Sequence, residues 1–187
     1  MQPARGLNTA NIQKHNEAPL SVEELIQLQR HTISEHVRYE QSKQWAEVYG
    51  TFTPHEDEAY YDVVPFQMRF GKMKGVVDFY QAFTSAFPDF QIIIHTENDV
   101  PGVSVREAQI VGTHLGEYCG IPASGRRVSV ALVGLFLFDK ATGNLNAERI
   151  YFDNNTILAQ IKGEMLANDV FDLSRIESAN ATAEVEK

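Results

Sequence analysis

A histidine and an aspartate in two neighbouring stretches of extended chain have residue types suited to acid–base chemistry. His114 lies in QIVGTHLGEYCGIPASGRRVSV (109–130), and Asp153 ends AERIYFD. Burial among apolar groups raises a carboxylate's pKa, which suits a base near neutral pH. An inward imidazole can polarise a carbonyl or share the proton. Arg149 and Tyr151 share a strand parity with Asp153, so these three are expected to face the pocket together. Tyr151 and Tyr61 could each donate a hydrogen bond to an enolate oxygen, with Asp62 competing as base. His36 and Glu40, four apart, share a helix face. His36 is expected to line the pocket. Two ligands are too few for a metal and no third is apparent nearby, so no metal site is expected.

Each residue also has a structural reading. Asp153 can cap a helix beginning at Asn154-Asn155, and His114 can fix its own hairpin. Arg149 can pair with Glu148 or Asp153. Cys119 has no evident base beside it and reads as a buried small hydrophobe.

These residues need elements to hold them. Ser21 with Glu24 forms a capping box for a helix running to about Lys43, followed by a short helix carrying Trp45 and Val48. Residues 59–64 favour a strand, 66–71 read as a loop, and 72–86 as a helix stopped by Pro88. Four strand candidates follow, at 90–98, 103–117, 127–138 and 145–153, broken by Gly- and Pro-containing turns. A last helix is expected at 155–167. Helices followed by an antiparallel meander indicate an α+β fold with helices packed on one face of a curved sheet. On 103–117 the even positions are smaller and less polar, which turns His114 inward. Strand 127–138 is apolar on both parities, so both faces should be covered, one of them by a second copy in a homodimer.

The chain has 187 residues and a net charge of −9. That length suits one domain, expected at 20–167, between a flexible arm (1–19) and a polar tail (168–187). The acidic balance argues against nucleic acid, which needs a Lys/Arg surplus. A single cysteine excludes an internal disulfide and a Cys-based zinc site. The N-terminus has no apolar signal core, and no run of about 18 apolar residues exists to span a membrane. A cytoplasmic location is expected.

The hairpin GTHLGEYCGIPASGRR resembles that of the SnoaL-like polyketide cyclases, within the nuclear transport factor 2-like superfamily. AERIYFDNNTILAQI is similar to that family's last strand and closing helix, and weaker similarity extends over about 20–165. The resemblance implies an α+β cone with a bent sheet around a deep apolar pocket. It also implies cofactor-free acid–base chemistry on a carbonyl-containing small molecule, as in an aldol cyclase, isomerase or dehydratase (lyase). In it Asp153 matches the last-strand carboxylate and His114 the hairpin histidine. Arg149 departs from the family, which often has Trp there. A non-catalytic ligand-binding or assembly module of the same fold is the alternative. Epoxide hydrolysis is disfavoured, because no Arg-x-Asp stands on the central strands.

Overall fold

The computed structural model describes residues 20–168. The arm at 1–19 and nearly all of the tail at 168–187 lie outside them. Helix α1 (Val22–Gln41) starts on the expected capping box: Ser21 Oγ accepts the Glu24 N–H, and Glu24 Oε2 accepts the Ser21 N–H at 2.9 Å. Its apolar stripe of Leu25, Ile33 and Val37 faces inward. The short α2 (Trp45–Gly50) folds back against it. Then come β1 (Tyr60–Val63), a 3-10 turn (Val64–Phe66), β2 (Met68–Gly71) and α3 (Lys72–Ala86). Strands β3 (Gln91–Val100), β4 (Val103–Thr113), β5 (Arg127–Phe138) and β6 (Leu145–Phe152) follow, and α4 (Asn154–Lys162) closes the described chain.

Residues 68–71 are a strand, where a loop was expected. Gln67 adopts a left-handed conformation (φ 53°), which reverses the chain so that β2 pairs antiparallel with β1. An edge strand this short and largely exposed carries no alternating pattern to read.

The sheet is curved and open, ordered β2-β1-β6-β5-β4-β3. All its pairings are antiparallel except β1 with β6. Two irregularities interrupt the ladders. One lies in β3 between Ile94 and Thr96; the other sets Phe138 opposite Leu145 but Leu137 opposite Ala147, leaving Asn146 extra in β6. Such bulges bend a sheet and increase its twist. The inner face packs on helices through two apolar clusters, one with α1 and α3 around Val63, Val76 and Phe136, the other with the end of α3 and α4 around Phe87, Val128 and Ile161.

The hairpin after β4 is held by close backbone contact. The N–H groups of Leu115 and Gly116 both donate to the Ala86 carbonyl at the end of α3, at 2.9 and 3.1 Å. A Cβ on Gly116 would lie 2.0 Å from the Ser85 carbonyl oxygen, so only glycine lets hairpin and helix approach this closely. Cys119 and Gly120, both with positive φ (51° and 78°), form a two-residue turn between Tyr118 and Ile121. That corrects the expectation for Cys119: as a turn residue its side chain is exposed.

Candidate active site

The inner face of β1 and β6 sets Tyr61 directly opposite Glu148 in the parallel pairing. Helix α1 contributes His36 and, one turn later, Glu40. Helix α3 contributes Tyr80. All five are buried. The Tyr80 hydroxyl stands at their centre, 2.7 Å from Glu40 Oε1 and 3.1 Å from both Glu148 Oε2 and His36 Nε2. The Tyr61 hydroxyl also engages Glu148. Phe52 and Phe136 flank the imidazole edge-on, with ring centroids 5.5 and 5.7 Å away.

The orientation of His36 follows from its other nitrogen. Thr51 Oγ1 donates its only proton to the Val48 carbonyl at 2.7 Å. It must therefore accept from His36, whose Nδ1 lies 2.7 Å away. Nδ1 carries a proton and Nε2 is turned toward the carboxylates. Burial alone would discharge the ring, but Glu40 and Glu148 outweigh it and push the His36 pKa up to about 10. The imidazole is thus a cation at neutral pH, with Nε2–H 3.5 Å from Glu148 Oε2 and 3.6 Å from Glu40 Oε1. Glu148 is raised, chiefly by burial, with the Glu40 charge adding to the rise and His36 opposing it. Burial likewise holds both phenols well above their ordinary range, so they are hydrogen-bond donors and not phenolates. The single Tyr80 proton goes to Glu40, its nearer partner. The two contacts at 3.1 Å must then be supplied from the other side, by His36 Nε2–H and by Glu148 when it is protonated.

His36 Nε2 and one oxygen from each glutamate lie within 4.8 Å of one another, a span that would suit a metal ion. The Tyr80 hydroxyl stands within hydrogen-bonding distance of all three. The group is therefore knit as a proton network around a phenol. Glu40 Oε2 is buried and has no hydrogen-bond partner.

This cluster borders a cavity of about 240 Å³. Glu40, Glu148, Tyr61 and Tyr80 line it, while His36 stands behind them. Most of the remaining wall is aromatic or aliphatic, including Phe79, Phe83, Phe90 and Leu132, with Glu117, Tyr118 and Cys119 contributed by the hairpin.

Of the residues singled out from sequence, Tyr61 and His36 are brought to this cluster, together with Glu40 beside His36. Asp153, His114, Arg149, Tyr151 and Asp62 are not. On β6 the inward set is Glu148, Ile150 and Phe152, and the set expected inside, Arg149, Tyr151 and Asp153, points outward. Asp153 is exposed just beyond the strand and caps α4, with Oδ1 accepting the Asn155 N–H and Oδ2 the Thr156 hydroxyl, both at 2.9 Å. Arg149 and Arg69 both bind Asp62 on the outer face, at 2.9 and 2.7 Å, and Tyr151 is 42% exposed. His114 is buried and faces its own turn. Its Nδ1 accepts the Ser124 N–H at 3.2 Å and it packs on Phe87, while burial pulls its pKa down. It does not line the cavity.

Sequence reasoning missed Glu148 and Tyr80 and set Glu40 aside. A signal existed for each. Glu148 shares a parity with Ile150 and Phe152, Glu40 lies one turn beyond His36 and two turns beyond Ile33, and Tyr80 lies one turn beyond Val76.

Among solved structures the chain is similar to AclR from Streptomyces galilaeus, described as a candidate hydroxylase (19% identity, 86% of this chain and 96% of that one, TM-score 0.62). It is similar to a candidate SnoaL-like polyketide cyclase from Jannaschia sp. CCS1 (18%, 78% and 97%, TM-score 0.66). It also resembles IdmH, a candidate polyketide cyclase from Streptomyces antibioticus (18%, 72% and 98%, TM-score 0.60). At these identities the likeness shows the shared fold. No curated protein matches the chain. The family model for the SnoaL-like polyketide cyclases matches residues 38–161, more than half of the sequence: the whole sheet with α2, α3 and nearly all of α4, but only the end of α1. The chain belongs to the SnoaL-like polyketide cyclase family.

Proposed function

We propose that the protein is a cofactor-independent enzyme that moves a proton at the carbon next to a carbonyl of a small, largely apolar substrate held in the cavity. The observation that carries this reading is the meeting of two carboxylates, two phenols and an imidazolium at an apolar cavity. Burying charge is costly and seldom adds stability, so a cluster of this kind needs a use. Glu148 is the base: its carboxylate takes the proton from carbon. Tyr61 donates to the enolate oxygen once Glu148 has taken the proton, while Tyr80, whose own proton is held by Glu40, orders the carboxylates. His36 acts through Glu148 and Tyr80 as a positioning residue. Returning the proton elsewhere isomerises a double bond. Attack of the enolate carbon on a second carbonyl closes a ring, and loss of a β-hydroxyl with that proton dehydrates.

The test needs no knowledge of the natural substrate. In D₂O, 2-tetralone should exchange the hydrogens beside its carbonyl faster with the protein than in buffer alone, followed by proton NMR. Glu148→Gln should abolish the gain. Exchange at the buffer rate with folded wild-type protein would overturn the reading.

The outer sheet face supports a homodimer as the working form. Val133, Leu135 and Leu137 are only half-buried there, and Ile93 is 44% exposed. Sedimentation at micromolar concentration should return twice the chain mass. None of the described helices is long and apolar enough to cross a membrane, and an exposed lone thiol at Cys119 suits a reducing compartment such as the cytoplasm.

A further inference from the structure

We infer that the cavity selects its ligand by charge and takes a protonated amine, with the nitrogen seated against Glu40. This rests on the preceding reading only in placing the ligand in the cavity and in the charge of Glu148. When Glu148 is ionised, as its role as base requires, the charges on the cavity wall do not balance. One imidazolium, His36, stands behind two lining carboxylates, Glu40 and Glu148, and Glu117 adds a third. The Lys43 ammonium, which also feels Glu40, does not line the cavity. None of the described residues lining the cavity is Lys or Arg. An anionic ligand would meet these carboxylates with no cation on the cavity wall, whereas a monocation would complete the inner group.

The second observation is the orphaned oxygen. Glu40 Oε1 is occupied by Tyr80, but Oε2 is buried without a donor. A buried carboxylate oxygen left unpaired costs free energy that a ligand N–H would recover. The surrounding walls suit the same group, because aromatic faces attract cations. The fold already seats one ammonium in this way: Lys43 Nζ lies 3.4 Å from the centroid of Phe90, a lining ring, and donates to the Phe90 carbonyl at 2.6 Å. Two carboxylates then divide the work. Glu40 holds the nitrogen, which leaves Glu148 free to act at carbon. The substrate class that follows is an aminoketone of about two fused rings or less, carrying no acidic group.

Three probes that differ only in charge test this with the intact chain: 2-naphthylmethylamine, 2-naphthalenemethanol and 2-naphthoate, followed by naphthalene fluorescence and calorimetry at pH 7. The amine should bind about tenfold more tightly than the alcohol, and the naphthoate at least about tenfold more weakly than it. Glu40→Gln should bring amine and alcohol to within about twofold of each other. The ranking on wild-type protein stands without the variant, should that fail to fold. Naphthoate binding as tightly as the amine, no binding by any of the three, or an unchanged preference in folded Glu40→Gln would overturn the inference. Its failure is distinguishable from that of the catalytic reading. Tetralone exchange can succeed with a cavity that is indifferent to charge, and the amine can bind where no exchange occurs.

Discussion

Neighbouring residues on the β1–β6 pair carry two carboxylates into opposite circumstances. Asp62 and Arg149 face each other on the outer side, and Tyr61 and Glu148 face each other on the inner side. Asp62 lies between two guanidiniums. Burial would raise its carboxyl, but Arg69 and Arg149 together hold it below the ordinary range, as expected of a partly solvated ion pair. Glu148 has no such clamp. Its cation is an imidazolium shared with Glu40, and burial holds its proton more tightly. The difference is one step of strand parity. The outer carboxylate is locked in one charge state, and the inner one is poised to change its own.

The largest effect expected from breaking this contrast is on chemistry. Glu148→Gln should cut catalysed exchange by about 10²- to 10⁴-fold, the usual contribution of a positioned base, while Asp62→Asn leaves it within about threefold, a difference of under 1 kcal/mol in barrier. Equal losses in the two variants, measured by the same NMR assay, would erase the distinction between the faces.

Next comes the network behind Glu148. Thr51→Val removes the acceptor that fixes the His36 ring, and should lower exchange by about tenfold and shift its pH profile, whereas Thr51→Ser restores both. Chemical shifts of ¹⁵N-labelled imidazole would report the tautomer directly.

A third contrast lies in pH. The His36 pKa rises on folding from 6.5 to about 10. Its contribution to stability is therefore complete below about pH 6.5 and is lost as pH climbs through about 10. Asp62 has the opposite sign: its lowered pKa stabilises above the unfolded carboxyl value and is lost in acid. Melting temperatures measured across both windows should fall on the alkaline side in wild type and fall less in His36→Gln.

The smallest effect is expected at Asp153. Asp153→Ala removes a helix cap at a cost of about 1 kcal/mol in denaturant unfolding, with the exchange rate unchanged. A loss of rate comparable to that of Glu148→Gln would bring Asp153 back into the chemistry.

The architecture was legible because its signals are local. Ser21 with Glu24, the glycine and proline turns, and the apolar stripes of α1 and α3 each follow from spacing over a few residues. The Gly116 approach and the Cys119-Gly120 turn give the hairpin resemblance a physical basis. The site was less legible because it is assembled across the sheet. Residues 145–153 look mixed on both parities, and whether Glu148 or Arg149 turns inward depends on pairing with strands distant in sequence. His114 read as inward, correctly for burial, but the inside of a hairpin differs from the inside of a cavity.

The extra residue in β6 decides that parity. At the tight turn, Asp139 N–H donates to the Asn144 carbonyl and Phe138 lies opposite Leu145. Continued without interruption, that count would bring Glu148 opposite Leu135, on the outer face, and place Arg149 opposite Gly134 inside. Asn146 absorbs one residue, so that Glu148 meets Phe136 and Arg149 meets Leu135. Turn and cavity demand frames that differ by a single position, and the irregularity reconciles them. A one-residue insertion or deletion at position 147 would have no such buffer. It would turn Glu148 out of the cavity and Arg149 into it while leaving every strand in place.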